Sequence, residues 1–127
     1  MGVECSIILR LWAEQPSVAY YLYKCVQGMT GLGFLPYTIS LQNEPQHSDS
    51  SYPTMLLSVS QEAIVGVALR RLLDNNGFSC VKIVGYDHNW NNAATYPVQL
   101  MQQAEKAFTG VAFHCYEGSV SQQLDVS

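Results

Sequence analysis

Three times along this chain a stretch with helical apolar spacing runs up to a glycine. Each time an apolar, β-rich run follows and breaks off into polar and aromatic side chains. The first stretch places Val18, Tyr21, Leu22, Cys25, Val26 and Met29 at helical spacing, with Ser17 as its candidate cap and Gly31 and Gly33 as its stop. FLPYTISL, residues 34–41, then reads as a buried strand that leaves through Gln42, Asn43 and Glu44. The second stretch opens on a capping box, Ser58 with Gln61, carries Ile64, Val65, Ala68, Leu69 and Leu72 inward, and ends at Asn75, Asn76 and Gly77. Its strand is CVKIVGY, residues 80–86, which leaves through Asp87, His88, Asn89 and Trp90. The third opens near Thr95, with Pro97 suited to a first turn, and continues through Val98, Met101, Ala104, Ala107 and Phe108 to Gly110. VAFHCY, residues 111–116, is the last strand, followed by Glu117.

Strands that alternate with helices of this length imply right-handed βαβ crossovers and a parallel sheet, hence the α/β class. Side chains capable of chemistry collect where each strand ends: Asn43 and Glu44, then Asp87, His88 and Trp90, then His114 and Tyr116. In parallel α/β folds ligands bind at that end, and in a (β/α)₈ barrel it carries the active site. The pattern therefore predicts part of such a barrel, since a whole one needs roughly 250 residues. A Rossmann-type sheet is the second choice, weakened because no G-x-G-x-x-G turn occurs.

Composition narrows the partners. Of 127 residues, 48% are hydrophobic and 13% charged, which suits one globular domain with a large core and excludes disorder. The net charge of −4 argues against nucleic acid, because phosphate binding needs clustered cations. The single basic doublet, Arg70-Arg71, lies in a helical pattern and reads as a solvated face. Cys5, Cys25, Cys80 and Cys115 form no C-x-x-C, so they offer buried thiols or two disulfides rather than a zinc ribbon. His47, His88 and His114 have no metal-ligand spacing, and no metal or cofactor is expected. No apolar run is long enough to span a membrane, and the first residues, with Glu4 and Arg10, make a poor signal peptide.

SLQNEP (40–45) places Asn-Glu-Pro at the end of a strand, as in the acid/base motif of a large clan of retaining glycoside hydrolases. The longer strings YLYKCVQGMTGLGFLPYTISLQNEPQHSDSSYPTM, VKIVGYDHNW and GVAFHCYEG together resemble glycoside hydrolase family 30, which includes glucosylceramidases and fungal endo-β-1,6-glucanases. The wording is closest to the fungal branch. The resemblance covers roughly residues 17–123 and implies units three to six of the barrel, with residues 1–16 unmatched and 17–127 a partial catalytic domain. It implies that Glu44 is the general acid/base and that Asn43 bonds the sugar 2-hydroxyl. It further implies that Trp90 and Tyr116 line sugar subsites with His114 beside them. The family's nucleophile is a glutamate on the seventh strand, for which this chain has no matching position. A β-glucan or glucoside is the implied substrate, and secretion the implied location.

Retaining hydrolysis needs two carboxyl groups about 5–5.5 Å apart, one to protonate the leaving oxygen and one to attack the anomeric carbon. Read without the family, Glu44 serves equally well as a helix-capping or ion-pairing carboxylate. Asp87 and His88 either bind substrate or orient the loops, and His114 either fills the core or touches the cleft. Trp90 and Tyr116 stack on sugar faces or pack inside. His47 sits in a polar loop and reads as solvated, and Glu117 follows the wrong strand to replace the nucleophile. The expected function is retaining hydrolysis of β-glucosidic bonds, with this chain supplying the acid/base half. The alternative is a catalytically inactive sugar-binding remnant or a truncated gene model, and the isolated chain is expected to associate through open sheet edges.

Overall fold

Val81, Ile83 and Gly85 alternate along the middle strand and are all buried, whereas Lys82 and Val84 between them are only partly covered. That alternation marks a sheet whose one face is packed against helices. The computed structural model describes residues 15–126; Cys5 and most of the unmatched segment 1–16 lie outside them. Helix α1 spans Gln15–Gly31, strand β1 Thr38–Ser40, α2 Val59–Asn75, β2 Lys82–Asn89, α3 Tyr96–Ala104 and β3 Gly110–His114, with short 3₁₀ turns at Trp90–Asn92 and Val120–Val126. The sheet has the order β1-β2-β3 and both pairings are parallel. The α/β class and the parallel sheet expected from the alternation are therefore present.

The helices form on the expected signals, with differences of register. Ser58 caps α2 through a complete capping box with Gln61. Ser17 lies inside α1 and so does not cap it. The inward stripe of α1 is Ala19, Tyr23 and Val26, while Tyr21 is 68% and Met29 47% exposed. The expected stripe was displaced because tyrosines and a methionine counted as apolar at positions that face outward. Likewise Ile64 on α2 is half exposed, and Glu62 is buried. β1 is much shorter than residues 34–41: Pro36 has no N–H to give a ladder, and pairing begins where Tyr37 O accepts Lys82 N–H at 3.0 Å.

Arg70 is not a solvated charge. Its guanidinium donates to the carbonyls of Val81 at 2.7 Å and Phe78 at 3.3 Å, and pairs with Asp74. It thereby ties the end of α2 to the start of β2. Cys25, Cys80 and Cys115 are free thiols, so none of these three forms a disulfide.

Two glycines set how closely helix and sheet approach. A Cβ on Gly66 would fall 2.3 Å from Phe108 Cζ, and one on Gly85 would fall 2.4 Å from Leu100 Cδ2. With no side chain at either place, Leu100 and Phe108 seat directly under β2, and both are buried. Ala107 and Phe108 follow the end of α3 rather than extending it, yet they join the same core.

Candidate active site

Glu44 leaves β1 between two anchors. Leu41 is buried and Pro45 is fully so, while the Pro45 carbonyl accepts Leu57 N–H at 2.9 Å. Between them Glu44 adopts a left-handed backbone, φ 50°, and its own N–H donates to the Asp87 carbonyl at 3.0 Å. This conformation costs an L-residue roughly 1–2 kcal/mol. A proline after it further restricts the choice, so the loop is held by its neighbours rather than by preference.

The second strand contributes a bulge. Gly85 pairs with Val111 and His88 with Phe113, so two residues of β2 stand opposite one of β3. The two are Tyr86 at φ 67° and Asp87 at φ 44°. Among the described residues these and Glu44 are the non-glycine positions with positive φ, and all three meet at one place. Tyr86 is wholly buried, with its ring against His88, Tyr96 and Phe113, and its hydroxyl donates to the Asn89 carbonyl at 2.6 Å. Burial pushes its phenol up to about 12. With the ring fixed below, the left-handed bend turns Asp87 upward at the strand end.

β3 supplies the link. His114 Nδ1 lies 3.0 Å from Glu44 Oε1, and its Nε2 lies 3.1 Å from Asp87 Oδ1. The three side chains are about one-fifth exposed: 19% for Glu44 and His114, 21% for Asp87. One imidazole bridges two carboxyl groups drawn from the ends of three parallel strands. A neutral imidazole has one N–H and can donate to only one of them. Both contacts are hydrogen bonds only when the group holds one further proton, either on the ring or on a carboxyl. Glu44 Oε1 and Asp87 Oδ1 thus hold the His114 imidazole from its two sides.

The other expected site residues are placed around this trio. Asn43 is exposed beside Glu44, with its carbonyl accepting from Gln42 Nε2. His88 is buried under the bulge: its Nδ1 accepts Asn89 N–H at 2.8 Å, and burial lowers its pKa, so the ring is held neutral. Trp90 is half buried and stacks face to face on Phe113, with centroids 3.9 Å apart. Its indole N–H has no partner among the described residues. Tyr116 is 83% exposed and sets its ring edge-on to His114. His47 pairs with Tyr52 in the loop after Glu44, and Glu117 accepts from Asn91 at the surface.

The chain is similar to endo-1,6-β-glucanases. It is 36% identical over 99 residues to the endo-1,6-β-D-glucanase BGN16.3 of Trichoderma harzianum, covering 77% of this chain and 20% of that one. To the endo-1,6-β-D-glucanase of Aspergillus fumigatus it is 33% identical over 103 residues, 80% of this chain and 21% of that one. The chain thus spans about a fifth of the length of the curated relatives it matches. Among solved structures, the endo-β-1,6-glucanase BT3312 superposes with a TM-score of 0.79 at 25% identity, over 90% of this chain and 26% of that one. SrfJ from Salmonella typhimurium gives 0.77 at 26% identity, over 87% and 25%. No family model matches the sequence.

Two residues outside the expected set also shape the site. Asn89 Oδ1 accepts the N–H groups of Tyr116 at 3.0 Å and Glu117 at 3.1 Å, fixing the exit of β3 against β2. An amide inside the polar string after a strand was the available signal. Glu62, buried beneath the bulge, had none, because an acid in the first turn of a helix ordinarily complements the helix dipole in water.

Proposed function

We propose that this chain supplies the acid/base half of a retaining β-1,6-glucanase, with Glu44 as the proton donor. The observation that carries the reading is the Glu44–His114–Asp87 chain at the C-terminal ends of three parallel strands. On this reading the elements from α1 to β3 run from the helix of unit three to the strand of unit six of a (β/α)₈ barrel, and the nucleophile carboxylate comes from a seventh-strand position that this sequence does not contain. The substrate class rests on the glucanase relatives, which favour β-1,6-glucan over glucosylceramide. A polysaccharide substrate also supports the reading that the protein is secreted.

In the first step Glu44 gives its proton to the glycosidic oxygen as the nucleophile carboxylate bonds to the anomeric carbon and the bond from that carbon to the leaving oxygen breaks. In the second, the ionised Glu44 takes a proton from the water that attacks the same carbon, and the bond to the nucleophile carboxylate breaks. His114 Nδ1 keeps the carboxyl oriented and hydrogen-bonded in both states, and Asp87 fixes the ring from behind. Asn43, exposed next to the acid, is the donor for the sugar 2-hydroxyl. The open ring of Tyr116 offers an aromatic face to a pyranose, and one face of Trp90 is already occupied by Phe113. Asp87 acts through His114, and His88 holds the bulge from below rather than touching sugar.

The test is hydrolysis of β-1,6-glucan by the full-length gene product and its Glu44→Gln variant. General acid/base groups contribute about 10²–10⁴-fold, so kcat should fall by that factor. Undiminished turnover by a folded Glu44→Gln protein would sink the assignment. Saturable oligoglucoside binding with no turnover by the unmutated protein would favour the sugar-binding remnant instead.

A further inference from the structure

Glu62, near the start of α2, is the one carboxyl among the described residues that is completely buried. Oε1 accepts the Tyr86 N–H at 2.9 Å, while Oε2 has no hydrogen-bond partner among the described residues. A carboxyl in such a place is costly, and an apolar side chain of its size would serve the core better. Its retention calls for a reason in the bond it makes.

That reason is the bulge. Inserting a residue into β2 takes the Tyr86 N–H out of the ladder and turns Tyr86 and Asp87 left-handed. A buried amide without an acceptor is destabilising, and a left-handed pair of non-glycine residues relaxes once its contacts loosen. Glu62 is the acceptor for that amide, and the bend it holds is the one that presents Asp87 to His114. The fit is tight, since a Cβ on Gly85 would meet Glu62 Oε1 at 3.1 Å. We propose that Glu62 is a positioning residue of the acid/base site: it binds the bulge amide from below and so fixes Asp87 against His114. This rests on reading Glu44, His114 and Asp87 as the proton-handling group.

The charged and titratable groups facing Glu62 are Tyr86 and Asp87 from β2 and the Tyr96 phenol from α3. Burial raises its pKa most and the charge of Asp87 adds to this, while the Tyr96 hydroxyl and Tyr86 N–H pull it back. Oε1 accepts the amide proton whether or not the carboxyl is ionised. The positioning role therefore asks for an acceptor, not a charge.

The experiment compares Glu62→Gln and Glu62→Met in the full-length gene product, by kcat, KM and pH–rate profile on β-1,6-glucan, beside Glu44→Gln. Gln keeps an acceptor and should remain within a few-fold of the parent. Met keeps the bulk and loses the acceptor, so kcat should fall roughly ten- to a hundred-fold with little change in KM, the size expected of a misplacement near 1 Å. With Asp87 displaced, His114 is no longer held from behind, and the shape of the pH–rate profile should change along with kcat. A folded Met variant with the parent's kcat and profile overturns the proposal, as does a Gln variant damaged as badly as Met. Should the Met variant not fold, amide hydrogen exchange on the parent decides: Tyr86 protected like the ladder amides of β2 supports the bond, and exchange at the rate of an exposed loop overturns it. If Glu44→Gln retains full activity, the acid/base reading itself has failed, and exchange at Tyr86 alone then judges the Glu62 bond.

Discussion

A narrow gap between helix and sheet lies under Gly85, one residue before the bulge, and filling it should disturb fold and site together. In Gly85→Ala the new methyl carbon would stand 2.4 Å from Leu100 Cδ2, 3.0 Å from Phe108 Cε1 and 3.1 Å from Glu62 Oε1. Leu100 alone could turn its tip aside, but Leu100 is fully buried and Phe108 nearly so, and the third neighbour is the carboxyl that holds Tyr86. Overpacking of this kind costs about 1–3 kcal/mol. We expect about 2 kcal/mol, which for a unit of this size lowers Tm by roughly 5–10 °C. The assay is thermal and denaturant unfolding of the parent, Gly85→Ala, Leu100→Ala and the double variant in one background. Leu100→Ala alone should cost about 2–5 kcal/mol through the cavity it leaves. In the double variant the methyl moves into that cavity, so the two costs should fall short of additivity by roughly 1–2 kcal/mol. A Gly85→Ala protein that melts within a degree of its parent, or strict additivity in the cycle, would refute the close-packing argument.

Stability should also depend on pH through two groups that act in opposite senses. Glu62 has its folded pKa raised above the ordinary 4.5, so its contribution is complete below that value and is lost as pH rises through the folded pKa. His88 is lowered from 6.5, so its contribution is complete above that value and is lost as pH falls towards the folded pKa. Melting curves across pH should therefore show Glu62→Gln gaining on the parent as pH rises above 4.5, and His88→Asn gaining as pH falls below 6.5; parallel curves would contradict both assignments. The 127-residue chain on its own should self-associate, because among the described residues one edge of β1 is unpaired, beside Phe34 at 70% and Tyr37 at 72% exposure. Sedimentation showing a stable monomer with a cooperative melt would count against that.

The repeat of helix, glycine and apolar run was legible because each signal is local. Capping at Ser58, glycines at helix ends and β-branched runs placed all three strands in the right order. The end of the sheet that carries Glu44, Asp87 and His114 followed from the same periodicity. Their direct connection did not, since it depends on an extra residue in β2 and on two left-handed turns that no dipeptide in Gly85–His88 announces. Tyr86 and Asp87 are poor left-handed residues by propensity, and only tertiary contacts hold them there. Helix faces were harder: Tyr21 and Met29 are apolar by count yet lie outward, and Arg70 found carbonyl partners across a loop that spacing alone cannot place. Glu62 was hidden for the same reason, since nothing in a helical first turn distinguishes a buried acid from a solvated one.

If Glu44 donates a proton to the leaving oxygen, its loss should matter in proportion to how much that proton is needed. The full-length gene product and its Glu44→Gln variant would be compared on β-1,6-glucan and on a dinitrophenyl β-glycoside of a β-1,6-linked oligosaccharide, following the first release of phenolate. A dinitrophenolate leaves without protonation, whereas a sugar alkoxide does not. The account predicts a loss of about 10²–10⁴-fold on the glucan and a far smaller loss in the aryl burst. Equal losses on both substrates, or none on the glucan, would contradict it.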